Sequence, residues 1–403
     1  MTTFFENLPE EPPNSILGLA LECKNDPFPG KINLTIGAYR DNTGEPIVLP
    51  CVREAEEALL GKHLDHEYLV QDGLADFDRC AQLLMFGEDS QAIQEKRVYT
   101  IQAVAGTAAV RLGADFIHRV VPGGQLLMPD VTWPNHPTIC KAVGISFSTY
   151  RYLDSTGVGF DFEGMLADLK AAPEHSVVLF HSCAHNPTGI DPNEEQWRTI
   201  LSVVQTRHLL PFFDNAYQGF VSGDPIKDAF AVRLFAAAGL ELLVACSFSK
   251  NFGLYGERTG ALHIVLKDDK EVPRAASIAR ALARPLYSTC PSYGARIVAH
   301  VLSNPARNAQ WQRECAEMAH RLNHTRQLLY DTLVQKNVKG TWEHIVQQKG
   351  MFSFSGIPGH AVQRLKTEHH IYLLMDGRIS LAGLNTGNVE RFANALAEVL
   401  GTN

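Results

Sequence analysis

The chain has 403 residues, 45% hydrophobic and 20% charged, a globular composition with enough apolar material for a large core and two structural domains. Its net charge of −8 is mildly acidic and gives no reason to expect a nucleic-acid partner. The most apolar window, 229–248, is broken by Arg233 and Glu241, so it does not read as a membrane span.

The N-terminal 30 residues hold Glu6, Glu10, Glu11, Glu22 and Asp26 against Lys24 alone. Mitochondrial presequences are Arg-rich and acid-poor, and secretory signals begin basic, so a cytoplasmic protein is expected. Ala105-Gly106-Thr107 precedes a predicted helix over 108–120. Asp161 is placed to cap a helix whose apolar residues, Phe162, Met165, Leu166 and Leu169, recur at helical spacing. An apolar strand is predicted over 177–180. Asp191-Pro-Asn-Glu-Glu195 then reads as a helix start with Pro in the first turn, presenting Trp197, Ile200, Leu201 and Val204 on one face. A strand over 209–213 follows, then an amphipathic helix in the first half of 229–248, and strands over 242–246 and 261–266. A long helical pattern from Asn308 carries Trp311, Met318, Leu322 and Leu329, and precedes strand-like runs at 351–354 and 371–374, an α+β unit. The eight cysteines stand singly from Cys23 to Cys315 without a CxxC pair, as reduced thiols do.

Short, nearly all-apolar strands alternating with helices imply a parallel sheet covered on both faces, with ligands outside the strands' C-terminal ends. The polar segments 181–189, 214–217 and 247–258 all fall there. Lys250, at a strand end near glycines, is a candidate Schiff-base nucleophile. Ser247, Ser249 and Arg258 suit a phosphate dianion, and the second cation would lower the lysine pKa. Asp214 is placed to face a ring nitrogen, with Tyr217 three residues on. Gly106-Thr107 at a helix start suits phosphate. His181, Cys183 and His185 would share one strand face and suggest metal, but no second ligand group has zinc spacing, so no metal is expected. Arg284 and Arg378 have the chemistry to clamp carboxylates, but spacing does not assign them.

Together these motifs resemble the class I, fold-type I aminotransferases, and specifically the aspartate aminotransferase family. The resemblance runs in order through Leu34-Thr-Ile-Gly-Ala-Tyr-Arg-Asp41, His66-Glu-Tyr-Leu69, Trp133-Pro-Asn-His136, His181-Ser-Cys-Ala-His-Asn-Pro-Thr-Gly189, Asp214-Asn-Ala-Tyr217, Ser247-Phe-Ser-Lys-Asn-Phe-Gly-Leu-Tyr255 and Gly377-Arg378. It implies an α/β fold: a large domain over 41–310 that binds pyridoxal 5'-phosphate (PLP) on a mostly parallel seven-stranded sheet, with a smaller α+β domain built from both chain ends. Residues 1–40 would give an arm and part of the small domain, and 311–403 the rest of it.

The resemblance also implies roles. Lys250 would hold PLP and move the substrate proton. Asp214 would face the ring nitrogen, backed by His136, and Asn186 and Tyr217 would bind the phenolic oxygen. Trp133 would stack on the ring. Gly106, Thr107, Ser247, Ser249 and Arg258 would cup the phosphate, joined by Tyr68 of a second subunit. Gly37 and Arg378 would hold the substrate, with Arg284 reaching across a homodimer to its distal carboxylate. The implied partners are amino acids and 2-oxo acids, and the implied reaction is aspartate:2-oxoglutarate transamination. Alternatives are an aromatic or broad-range aminotransferase and a catalytically silent binding relative. Two departures stand out: Ala105 replaces a serine or glycine, and Thr289-Cys290 replace asparagine and proline after Arg284.

Overall fold

The structure, a computed structural model, describes residues 4–402. Strand β1 (Ile32–Asn33) lies near the N-terminus. The main sheet is built from β2 (Val98–Val104), β3 (Leu126–Pro129), β4 (Phe147–Tyr150), β5 (Val177–His181), β6 (Leu210–Asn215), β7 (Leu242–Ser247) and β8 (Thr259–Val265). Strands β9 (Phe352–Phe354), β10 (Ile371–Tyr372) and β11 (Arg378–Ser380) follow.

The seven-stranded sheet has the order β2-β8-β7-β6-β5-β3-β4. Strands β3 to β7 run parallel, while β8 is antiparallel to both β2 and β7. Successive residues of a strand point to opposite faces, and here both faces are covered. Leu179, Phe212 and Leu243 enter one core, beneath the helices Ala105–Val120 and Val272–Tyr287. Their neighbours Phe180, Phe213 and Val244 enter the other, with Trp197 and Phe235. Each fully buried Phe or Leu contributes about 1.5–3 kcal/mol, so β5, β6 and β7 read as nearly unbroken apolar runs, while the buried Thr100 and Gln102 of β2 and His263 of β8 are polar exceptions. No helix among the described residues is long and apolar enough to cross a membrane.

The chain ends meet beside this sheet. Strand β1 pairs in parallel with β10, and β9 pairs antiparallel with β11, placing Arg378 opposite Phe354. Asp26 ties the two termini by accepting hydrogen bonds from His370 Nδ1 and the Tyr372 hydroxyl, both at 2.7 Å.

Several local expectations are corrected. The helix after Asp191 begins at Glu194, capped by Asn193 in a reciprocal capping box with Gln196, so Pro192 lies outside it. Asp191 instead turns back to accept from the backbone N–H groups of Ala184 and His185. The helix expected from 108 starts at Ala105, which puts Gly106 and Thr107 in its first turn. The strand expected over 209–213 runs from Leu210 to Asn215, so Asp214 lies within it. His181 closes β5, so Cys183 and His185 do not continue a strand face. Pro285, although a proline disfavours helical geometry in the residue before it, sits in the last turn of Val272–Tyr287 without ending it and forgoes one i→i−4 hydrogen bond there. The Asp161 cap forms as expected, its side chain accepting from Gly164 N.

Candidate active site

The strand register aligns His181, Asp214 and Ala245 at the C-terminal ends of β5, β6 and β7. A cavity of about 260 Å³ opens beyond them. Gly37, Gly106, Thr107, Trp133, Asn186, Asp214, Tyr217, Ser247, Ser249, Lys250 and Arg258 all line it. Residues 210 positions apart in sequence thus converge on one site, from Gly37 on the N-terminal segment to Ser247 at the end of β7. Three expected residues do not line it. Arg378 is buried just behind, donating to Asn186 Oδ1 (3.3 Å) and to the Thr35 carbonyl (2.8 Å), with its guanidinium 4.3 Å from the Phe352 ring centre. Tyr68 is 84% exposed, and Arg284 is exposed at the end of its helix, where it donates to the Ser288 hydroxyl. A single chain therefore does not bring Tyr68 or Arg284 to the cavity.

Asp214 is buried, which alone would push its carboxyl up. The hydrogen bond from His136, with the electrostatic influence of His136, His181 and Lys250, outweighs burial and holds it below the usual carboxylate range. His136 reaches Asp214 Oδ2 through Nε2 at 3.0 Å. The tautomers follow from a chain of contacts. The Asn186 N–H donates to His181 Nδ1 (3.4 Å), so His181 carries its proton on Nε2 and donates to Thr132 Oγ1 (3.0 Å). The Thr132 hydroxyl is then left to donate to His136 Nδ1 (2.8 Å), and His136 donates to Asp214. Burial and the neighbouring His136 hold His181 down to about 3, so it stays neutral and the chain keeps its direction. Asp214 is left as an ionised acceptor aimed into the cavity.

Lys250 follows β7 in a turn, its Nζ 5.1 Å from the centre of the Tyr217 ring. Burial lowers its pKa; Asp214 opposes this and the Arg258 charge adds to it, and the net shift is down. A lysine so placed gives up its proton more readily and becomes a nucleophile. Tyr217 moves the other way, burial holding its phenol protonated.

The opposite wall suits a phosphate. The helix Ala105–Val120 has no side-chain cap at Val104; its Ala105 N–H donates to the Arg258 carbonyl (3.1 Å), which leaves the Gly106 and Thr107 N–H groups and the positive dipole end to face an anion. A Cβ on Gly106 would stand 3.0 Å from Ser247 Cβ, so only glycine keeps this wall open. Arg258 has no carboxylate partner among the described residues; its side chain reaches Ser249 Oγ (3.5 Å) and the Tyr255 carbonyl (3.0 Å). An unpaired cation, two hydroxyls and a bare helix end at one side, an amine in the middle and an ionised carboxylate at the other match the phosphate, aldehyde and ring nitrogen of PLP.

Sequence reasoning missed several residues here. Ile36, Ala38, Ala216 and Tyr255 line the cavity, and His181 and Cys183, weighed only as metal ligands, line it too. Thr132 bridges His136 and His181. Its spacing of four from His136 was the available signal, but hydroxyls at such spacing are common.

The aminotransferase class I and II family profile matches residues 29–396. A cytoplasmic aspartate aminotransferase from Dictyostelium discoideum is 45% identical over 99% of this chain and 91% of its own length. Other matching relatives are described as mitochondrial aspartate aminotransferases. Among solved structures, the cytoplasmic aspartate aminotransferase of Saccharomyces cerevisiae superposes with a TM-score of 0.96 at 39% identity, over 98% of both chains. An aromatic-amino-acid aminotransferase from Burkholderia pseudomallei, covalently bound to pyridoxal phosphate, gives 0.95 at 41% identity, over 99% of this chain and all of its own. With the sheet, the converging strand ends and the cavity's amine, carboxylate and anion cup, the chain belongs to the class I and II aminotransferases.

Proposed function

We propose that this protein exchanges the amino group between L-aspartate and 2-oxoglutarate, yielding oxaloacetate and L-glutamate through a ping-pong cycle. The observation that carries it is the grouping of Lys250, Asp214 and the unpaired Arg258 around one cavity. When bound, PLP supplies a protonated ring that withdraws electrons from the substrate α-carbon. Asp214, kept ionised through His136, holds that ring nitrogen protonated. Asn186 and Tyr217 hold the phenolic oxygen, and Trp133 covers the ring face. Gly106, Thr107, Ser247, Ser249 and Arg258 hold the phosphate and so fix the distance from Asp214 to Lys250. Lys250 Nζ, once free, would take the proton from the substrate α-carbon and deliver it to the cofactor carbon that carries the exchanged nitrogen. Arg378 holds the α-carboxylate beside Gly37, which orients the Cα–H bond toward Lys250.

Among the described residues lining the cavity, no cation is left over for the distal carboxylate once Lys250 and Arg258 serve the cofactor. The reading therefore includes a homodimer in which Arg284 of one subunit serves the cavity of the other, with Tyr68 added to the phosphate cup. It also includes a large domain over 41–310 and a small domain formed from both ends, one closing on the other around substrate. The Dictyostelium relative, described as cytoplasmic, favours the cytoplasm. A second reading, aromatic transamination, is favoured by the Burkholderia neighbour and by Thr289-Cys290 beside Arg284. Turnover of aspartate, tyrosine and phenylalanine with 2-oxoglutarate as acceptor decides. Aspartate is expected to be the best donor; equal or faster aromatic turnover would replace the first reading with the second.

A further inference from the structure

The segment 36–38 lines the cavity without belonging to any helix or strand, so its place depends on what grips it at either side. Upstream, Ser380 N donates to the Leu34 carbonyl (2.8 Å) and Arg378 to that of Thr35 (2.8 Å). Downstream, Arg321 donates to the carbonyls of Arg40 and Asp41 and lies 5.1 Å over the Tyr39 ring. Both grips come from the C-terminal part of the chain. The contact from the cofactor side is different: the Tyr39 N–H donates to the Tyr255 hydroxyl at 2.8 Å. Tyr255 lies five residues after Lys250 and three before Arg258, and its carbonyl accepts from Arg258 Nη1 at 3.0 Å.

We infer that Tyr255 is a positioning residue, its hydroxyl latching the substrate-facing segment 36–39 to the turn that carries Lys250 and Arg258. The inference rests on the reading of the cavity as a PLP and substrate site. Clearance explains why the latch matters. A Cβ on Gly37 would come within 2.5 Å of Phe352 Cζ and 3.4 Å of the Tyr217 hydroxyl, so the segment is already pressed against the groups that face substrate. A shift of a few tenths of an ångström changes the space left between it, Tyr217 and the Arg378 side. Burial pushes the Tyr255 phenol up to about 12, so it remains a neutral hydroxyl throughout the working range. By accepting from Tyr39 it keeps its own proton free to donate. The cofactor cup needs none of this, since Arg258 reaches the Tyr255 carbonyl and not its ring.

The test is the Tyr255→Phe holoenzyme, which keeps the ring and deletes the latch. Leaving a partly buried N–H unpaired should raise KM for both aspartate and 2-oxoglutarate by roughly tenfold. Cofactor content and visible absorbance should match the wild type, with kcat changing less than KM. A KM within about twofold of wild type, or a loss of PLP in proportion to activity, overturns the latch. Residue-resolved hydrogen exchange on the wild-type holoenzyme tests the same bond without a variant. The Tyr39 amide should exchange more slowly than that of Ala38, and equal rates overturn the inference. If the wild type does not transaminate while the Tyr39 amide is protected, the proposed activity fails and the latch stands.

Discussion

At the scale of single residues, environment sets the chemistry. Lys250 is shifted toward its neutral amine by burial and Arg258, while Asp214 is kept charged by His136 despite its burial. Lys250→Ala should therefore abolish transamination while circular dichroism and the melting midpoint stay close to wild type; substantial remaining turnover would remove Lys250 from its role. Burial also sets a pH dependence of stability. It holds His181 and His263 to about 3, against an ordinary 6.5. Between those values the unfolded chain binds protons that the folded chain does not, so stability is complete above 6.5 and falls as the pH drops toward 3. Denaturant midpoints of the cofactor-free protein should decline from pH 7 to pH 4. His263→Gln, which removes a group bonded to Thr100 well away from the cavity, should flatten that decline, and an unchanged slope would contradict the assignment. Lys250, Asp214 and Arg258 were legible in the sequence because each sits in a distinctive local phrase. Thr132 and Tyr255 were not, because their partners His181 and Tyr39 lie 49 and 216 residues away.

At the scale of elements, apolar runs revealed β5 to β8 because a doubly covered sheet favours them. Strands β2, β3 and β4 were not read: β3 and β4 are four residues each, β4 is half polar, and in β2 Thr100 and Gln102 break the apolar run. Those polar residues are buried and satisfied by tertiary contacts, Thr100 with His263 Nδ1 and Gln102 with the Pro291 carbonyl. Helix starts were misplaced where two residues competed for the cap. Proline and two acids suggested that the helix begins at Asp191, but Asp191 is drawn inward to hold the Ala184–His185 loop, and Asn193 takes the cap. Asn193→Ala should cost about 1 kcal/mol, read as a lower denaturant midpoint with unchanged activity. Asp191→Ala should reduce activity as well, because the loop it holds leads into Asn186.

At the scale of the molecule, the joining of both chain ends through β1 and β10 is beyond periodicity analysis, since strands of two residues carry no pattern. The overall family order of motifs, spread over nearly the whole chain, was what made the architecture legible. It also carried the proposed dimer, because Arg284 and Tyr68 lie outside the cavity of their own chain. Arg284→Ala should reduce turnover of aspartate at least roughly a hundredfold more than that of phenylalanine, since a buried carboxylate loses its cation. Mixing Lys250→Ala and Arg284→Ala subunits tests the sharing directly. Hybrids that place both lesions in one cavity leave the other intact, so aspartate activity should reappear on mixing. Mixtures as inactive as their parents would mean the site is not shared.

One spectrum tests whether Lys250, Asp214 and the Arg258 cup hold PLP in a cavity that exchanges amino groups. Purified protein loaded with PLP should be yellow, lose that absorbance stoichiometrically on addition of L-aspartate with release of oxaloacetate, and regain it with 2-oxoglutarate. A protein that takes up no PLP, or whose absorbance no amino acid alters, would contradict the account.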